Sequence, residues 1–237
     1  MSIFAISDLH LSFSTDKPMD IYGGEWVEHT KNLKNKWEEI ISIKDTVIIP
    51  GDISWALRQE DALEDLKWIS QLPGTKVLIK GNHDLWWASV NKLNKLFENM
   101  LFLQNSFFIA DGHAICGTRG WLCPGDDDFT EHDEKIYKRE MGRLRLSLEE
   151  AAKAGFGNKN MEGQGDIIGS LHFPPTNDKL KNSGFTDLFE EYGVKKVVFG
   201  HLHGKDAYDN GLQGIRNNVE YKLTSLDYLK CVPYKII

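Results

Sequence analysis

An α/β fold, with helices laid on the faces of a β-sheet, is what the 237-residue sequence predicts. Three short β-rich runs, "IFAIS", "TVIIP" and "KVLIK", are each followed by a stretch of helical period. That alternation is the signature of a layered α/β sheet. Right-handed crossovers between such units would make at least the first strands parallel. No internal repeat or domain linker interrupts the pattern, so a single domain over 1–237 is expected.

The elements follow in order. "IFAIS" opens as a strand. Between residues 25 and 43, Trp26, Leu33, Trp37, Ile40 and Ile41 recur at helical spacing. "TVIIP" is the second strand; the next helix carries Leu63, Leu66 and Ile69 on one face and stops at "LPG". "KVLIK" is the third strand, and Val90, Leu93 and Phe97 mark a helix behind it. "FFIADGHAICG" places an Asp-Gly pair between two apolar runs, a hairpin signal. From Thr130 to Ala154 the chain is polar and helical, with Tyr137, Met141, Leu144, Leu148 and Ala151 as its buried stripe and Thr130 with Asp133 at capping-box spacing. This helical segment, around 126–155, is a candidate cap over the cleft. The glycine-rich "GFGNKNMEGQG" links it to the strand "DIIGSLHF". Helical "TDLFEEYG", the strand "KKVVFG" and two last strands, "VEYKLTSL" and "CVPYKII", complete the chain.

Bulk properties narrow the function. A formal net charge of -7 disfavours a general nucleic-acid binder, though not a small anionic substrate held by cations. Three cysteines without CxxC spacing read as reduced thiols, no apolar run approaches the roughly 20 residues of a membrane span, and the first residues lack a targeting signal. A cytoplasmic protein without membrane contact is expected.

Five of the apolar runs end in metal-ligand chemistry. "IFAIS" delivers Asp8 and His10, "TVIIP" Gly51-Asp52, and "KVLIK" Gly81-Asn82-His83-Asp84. "DIIGSL" delivers His172, and "KKVVFG" His201 and His203. The carboxyl edge of an α/β sheet is where sites assemble. Each piece has a bland reading: glycine, asparagine and aspartate also make turns, and a lone histidine often sits satisfied in a core. Five of the eight histidines falling at such edges is what favours a metal site. Aspartates, an asparagine carbonyl and several imidazoles exceed the needs of one four-coordinate ion, so two are expected. Mixed oxygen and nitrogen donors without thiolate suit Mn²⁺, Fe²⁺/Fe³⁺ or Zn²⁺ better than Mg²⁺.

The ordered set Asp8-x-His10, Gly51-Asp52, Gly81-Asn82-His83-Asp84, His172 and Gly200-His201-x-His203 resembles the calcineurin-like metallophosphoesterase superfamily. The resemblance implies a four-layer α-β-β-α sandwich with two mixed β-sheets flanked by helices, which revises the purely parallel reading. It implies that Asp8, His10 and His203 hold one ion, that Asn82, His172 and His201 hold the other, and that Asp52 bridges them. It also implies that His83 faces a small phosphate-ester substrate, as proton donor to the leaving oxygen or as a ligand of the phosphoryl oxygens. Asp84 either orients the His83 ring or caps the following helix.

Around the site, Arg119 in "CGTRGWLCPG" is the candidate substrate-binding arginine. Arg139, Arg143 and Arg145 read as a solvated helix face, and Trp55, Trp86 and Trp87 as anchors of the ligand-bearing loops. The expected activity is hydrolysis of a small phosphodiester or phosphomonoester by metal-activated hydroxide. A nuclease, or a non-catalytic protein-binding module on the same fold, are the alternatives; retention of every ligand together with His83 disfavours the second.

Overall fold

A computed structural model describes residues 1–157 and 165–237. The centre of the glycine-rich stretch expected as a linker lies outside the described residues. The first half contains β1 (Ile3–Ala5), α1 (His29–Ile40), β2 (Thr46–Pro50), α2 (Gln59–Gln71), β3 (Thr75–Ile79), α3 (Val90–Leu93) and β4 (Met100–Phe102). The second contains β5 (Phe107–Ala110), β6 (His113–Thr118), α4 (Glu131–Lys153), β7 (Ile167–Leu171), α5 (Gly184–Glu191), β8 (Lys196–Phe199), α6 (Lys205–Tyr208), β9 (Gly214–Arg216), β10 (Val219–Leu223) and β11 (Tyr234–Lys235).

Among the described residues the strands form two mixed sheets, ordered β11-β1-β2-β3-β4 and β5-β6-β7-β8-β10-β9. β1 to β4 are parallel, as the crossovers require, and β11 closes the edge antiparallel to β1. In the second sheet β6, β7, β8 and β10 are parallel, with β5 and β9 antiparallel at the two edges. The expected hairpin joins β5 to β6 through Asp111 and Gly112, both at positive φ, which matches the twist of the flanking strands.

Strand alternation builds the layers. Ile3, Ala5, Ile48, Val77 and Ile79 of the first sheet meet Ile115, Ile168 and Val198 of the second in a shared inner core. Their neighbours in sequence point the other way: Phe4, Val47, Ile49 and Leu78 pack with Leu33 and Trp37 of α1 and Leu66 and Ile69 of α2. Cys116, Ile167, Val197 and Phe199 pack with Leu144 and Leu148 of α4 and Phe185 and Phe189 of α5. The result is helix, sheet, sheet, helix. Each fully buried aliphatic side chain contributes about 1.5–3 kcal/mol, so the inner layer fixes how the sheet edges line up.

Several expectations needed correction. α1 begins only at His29, after two 3-10 turns, and Ile40 is exposed while Ile41 is buried. On α2 the inward face is Ala62, Asp65, Leu66 and Ile69, leaving Leu63 exposed; buried Asp65 takes an inward place because it accepts from the Phe13 amide and the Ser54 hydroxyl. α3 is one turn and ends before Phe97. The α4 capping box is present, but α4 lies in the outer layer against β6, β5 and α5, not over the cleft as a cap.

Candidate metal centre

The five ligand-bearing segments meet at the carboxyl edges of both sheets. Two triads of donor atoms are each close enough to hold a metal ion: Asp8, His10 and His203, and Asp52, His172 and His201. In the first, His10 Nε2 lies 3.4 Å from His203 Nε2, and His203 Nε2 lies 3.5 Å from Asp8 Oδ1. In the second, His201 Nδ1 lies 3.3 Å from His172 Nε2. Asn82 joins this group, its Oδ1 being 2.6 Å from His172 Nε2 and 3.1 Å from His201 Nδ1. Asp52 Oδ2 stands between the two sets, 3.4 Å from His172 Nε2 and 3.8 Å from His10 Nε2.

Local backbone conformation makes this convergence possible. Asp8, His10, Asp52 and His201 all have positive φ, between 45° and 73°. Non-glycine residues take that conformation at a cost, and such costs cluster at functional sites. The glycines that precede the ligands are needed for close approach. A Cβ on Gly51 would stand 2.7 Å from His172 Nδ1, one on Gly81 would run into the Asp52 carboxylate, and one on Gly200 into Asp8. The loops are then tied across the sheets: the His10 amide donates to Asp52 O, the Gly200 amide to His172 O, and the His201 amide to the Asp8 carboxylate.

The donor set fits a pair of cations. Nitrogen and oxygen ligands about 2.1 Å from a common ion stand roughly 3 Å from one another, the spacing found here. The rings also present the correct atoms. His172 Nδ1 donates to Pro50 O at 2.9 Å, which leaves Nε2 as a lone pair facing the cluster. His203 Nδ1 is held by Asp227 at 3.0 Å, which turns Nε2 toward the cluster. The electrostatics agree. Burial and the neighbouring Asp8 charge push Asp52 up to about 8. Burial would also raise Asp8, but His203, His172 and His10 hold it far below the carboxylate range. Burial pulls His203 down, yet Asp8 and Asp227 outweigh it and lift the ring to about 10. Burial, with His172 alongside, takes His201 down to about 3. A bound cation would relieve the buried Asp52 carboxylate of the proton it holds near neutral pH.

Asp227 was missed by sequence reasoning because "VEYKLTSL" reads as one strand that hides its exit. β10 in fact stops at Leu223, so Asp227 obeys the same strand-end rule as the ligands. It also accepts from the Tyr208 hydroxyl and the Gly204 amide. Asp227→Asn is expected to weaken metal affinity on the order of 10–100-fold, measured by competition with a chromogenic chelator. Unchanged affinity would deny the residue its positioning role. His29, assigned no role from sequence, is buried, with Nε2 3.1 Å from Leu9 O inside the Asp8-Leu9-His10 turn.

His83 stands at the rim, exposed, its amide bonded to Asp52 Oδ1 at 2.9 Å and its ring 4.4 Å from Trp55. Burial lowers its pKa, helped by His172 and Lys17, which favours the neutral ring with one N–H. Trp55 stacks on His10 at 4.7 Å and Trp26 meets His10 and His203 edge-on, so these indoles wall the ligand rings. Together with Tyr22, Lys205 and Tyr208 they bound a cleft of about 530 Å³ beside the cluster.

Two expected site residues lie elsewhere. Asp84 makes no hydrogen bond to His83 among the described residues. Wholly buried, it accepts from the amides of Gly81 (2.7 Å), Ile53 (2.9 Å) and Ser54 (3.2 Å) and from Trp86 Nε1 (3.0 Å). Four donors use its acceptor capacity, so it braces two ligand loops instead of turning a ring. Asp84→Ala should lower the unfolding free energy by about 3 kcal/mol or more, each stranded buried donor costing about 1–3 kcal/mol. Urea melts would measure this, and parental stability would refute the brace. Arg119 lines a different pocket, where it contacts Glu140.

Comparison with known proteins agrees with this geometry. The calcineurin-like phosphoesterase family matches residues 1–205. The gene 66 protein of Mycobacterium phage L5 is 37% identical over 197 residues, covering 83% of this chain and 75% of the phage protein. Among solved structures, the phosphopantetheinyl hydrolase PptH of Mycobacterium tuberculosis superimposes with a TM-score of 0.56 at 14% identity, over 100% of this chain and 95% of its own. TT1561 of Thermus thermophilus does so with a TM-score of 0.51 at 12% identity, over 86% and 82%. These two likenesses concern the fold; membership rests on the family match. The chain belongs to the calcineurin-like phosphoesterase family and is a metal-dependent phosphoric ester hydrolase.

Proposed function

We propose that the protein is a dinuclear metallophosphoesterase that cleaves a small phosphodiester or phosphomonoester by metal-activated hydroxide, the whole chain serving as one catalytic domain. The observation that carries this reading is Asp52 Oδ2, within 3.8 Å of a donor in each triad. Asp8, His10 and His203 would hold one ion, Asn82, His172 and His201 the other, with Asp52 available to both. Mn²⁺, Fe²⁺/Fe³⁺ and Zn²⁺ suit these donors. When bound, the ions supply Lewis acidity toward phosphoryl oxygens and lower the pKa of a water to near neutral.

The remaining work falls to side chains. Pro50 O and Asp227 hold Nδ1 of His172 and His203, so that Nε2 is the nitrogen each ring would present to a cation. The neutral His83 ring donates a hydrogen bond from its N–H to a phosphoryl oxygen, or its imidazolium form passes a proton to the departing ester oxygen and is left neutral. The 530 Å³ cleft and the acidic net charge favour a small ester over a polynucleotide. Three buried free cysteines agree with a reducing cytoplasm. No described helix is long and apolar enough to cross a membrane.

Protein purified without chelator is expected to carry two ions per chain by elemental analysis, and to release p-nitrophenol from bis-p-nitrophenyl phosphate, p-nitrophenyl phosphate or both. The faster substrate assigns the diester or monoester preference. Binding of a single ion, or inertness toward both esters after Mn²⁺ loading, would end the dinuclear reading.

A further inference from the structure

A second pocket, of about 220 Å³, is lined by residues at the carboxyl ends of β3 in one sheet and β6 in the other. Lys80, Arg119 and Arg143 line it, with Thr118, Trp87 and a single carboxylate, Glu140. Glu140 is wholly buried and already engaged: it accepts from Thr118 Oγ1 at 2.6 Å, Arg143 Nη1 at 2.9 Å and Arg119 Nη2 at 3.5 Å. Arg139 approaches it as well, its Nε 3.6 Å away.

The cations are underused. A guanidinium has five N–H donors, yet that long contact to Glu140 is the sole hydrogen bond from the Arg119 side chain among the described residues. Its Nε is buried without a partner, while its plane stacks on Trp121 at 4.4 Å. Among the described residues the ion pairs at this pocket join Glu140 to arginines, and none involves Lys80. Three cations lining the pocket against one carboxylate leave a surplus of two positive charges in a half-enclosed space. A surplus of this kind, partly withdrawn from water, calls for a counter-anion.

We infer that the Lys80–Arg119–Arg143 pocket is an anion site distinct from the metal centre, shaped and charged for a phosphate dianion. The guanidinium forks suit tetrahedral oxyanions, and the two-charge surplus matches the ligand. Its place on the sheet edge is adjacent to the chemistry: the Arg119 carbonyl accepts from the His172 amide at 3.0 Å and the Phe173 amide at 2.9 Å, and Lys80 stands two residues before Asn82. The occupant is either a second phosphate on the substrate or free inorganic phosphate.

Equilibrium dialysis of the metal-loaded protein against radiolabelled inorganic phosphate tests this. Two phosphates per chain are expected, one of which Asp52→Asn removes. Lys80→Gln with Arg143→Gln should weaken the other by at least about tenfold, the worth of one charge-assisted hydrogen bond, and Arg143→Lys should weaken it less. In the unsubstituted protein, phosphate should slow phenylglyoxal modification of Arg119 and Arg143, read by peptide mass, which needs no variant to fold. In the unsubstituted metal-loaded protein, displacement of both labels by one ADP, with p-nitrophenyl phosphate displacing only one, assigns the pocket to a substrate's second phosphate; displacement of both by either ester assigns it to a free anion. Retention of both phosphates by the Lys80/Arg143 variant, or unprotected arginines, overturns the inference. If Asp52→Asn leaves the stoichiometry unchanged, it is the dinuclear reading that fails, and the pocket stands.

Discussion

Asp52→Asn is expected to abolish turnover and to reduce the metal content below two ions per chain. Its Oδ2 approaches Nε2 of His10 in one triad and Nε2 of His172 in the other, so the substitution should strike both ions at once. An amide keeps the shape and the bond that Oδ1 receives from the His83 amide, but loses the charge that must neutralise two cations. Transition-state stabilisation of several kcal/mol disappears with the ions, corresponding to a fall in kcat/KM of about 10³-fold or more. Paired measurements of metal by mass spectrometry and of kcat/KM on p-nitrophenyl esters check this. Full metal occupancy with near-parental activity would remove Asp52 from the centre of the mechanism.

His83→Ala should leave both ions bound and still cost on the order of 10²–10⁴ in rate. The ring reaches no metal-donor atom within hydrogen-bond distance among the described residues, while it lines the same cleft as His10 and Asp52. If it protonates the leaving oxygen, the loss will be large for alkoxide leaving groups and small for p-nitrophenolate, which departs unaided. If it donates to a phosphoryl oxygen, both substrates will suffer alike. Those two results separate the roles left open for this residue. Melting temperature should stay close to the parent, in contrast to Asp84→Ala, because the ring is exposed and Asp84 is not.

The site was legible in the sequence to the extent that it obeys one rule, that ligands stand just past the carboxyl ends of strands. Asp8, His10, Asp52, Asn82, His172, His201 and His203 all do, and the structure brings them together. What the rule could not supply was the state of groups one contact further out. Asp84 and His83 are neighbours in sequence, yet Asp84 is consumed by three amides and an indole that the sequence does not reveal as partners. Arg119 reads as a phosphate ligand from its glycine-flanked loop behind a hairpin strand, and nothing in that loop shows that its partner is Glu140, on a helix read as a solvated face. Buried acids on helices caused the same trouble in the fold: Asp65 occupies an inward position of α2, and the apolar stripe was therefore drawn through exposed Leu63. β4 and β9, three residues each, are too short for a two-residue period to register.

The donors to these ions span the chain from residue 8 to residue 203, and one of the rings among them is steadied by residue 227. A nascent polypeptide therefore cannot assemble either coordination shell until nearly all of this sequence has left the ribosome. Loading of either cluster would have to follow the emergence of His201 or His203, and hydrolytic capacity would follow loading.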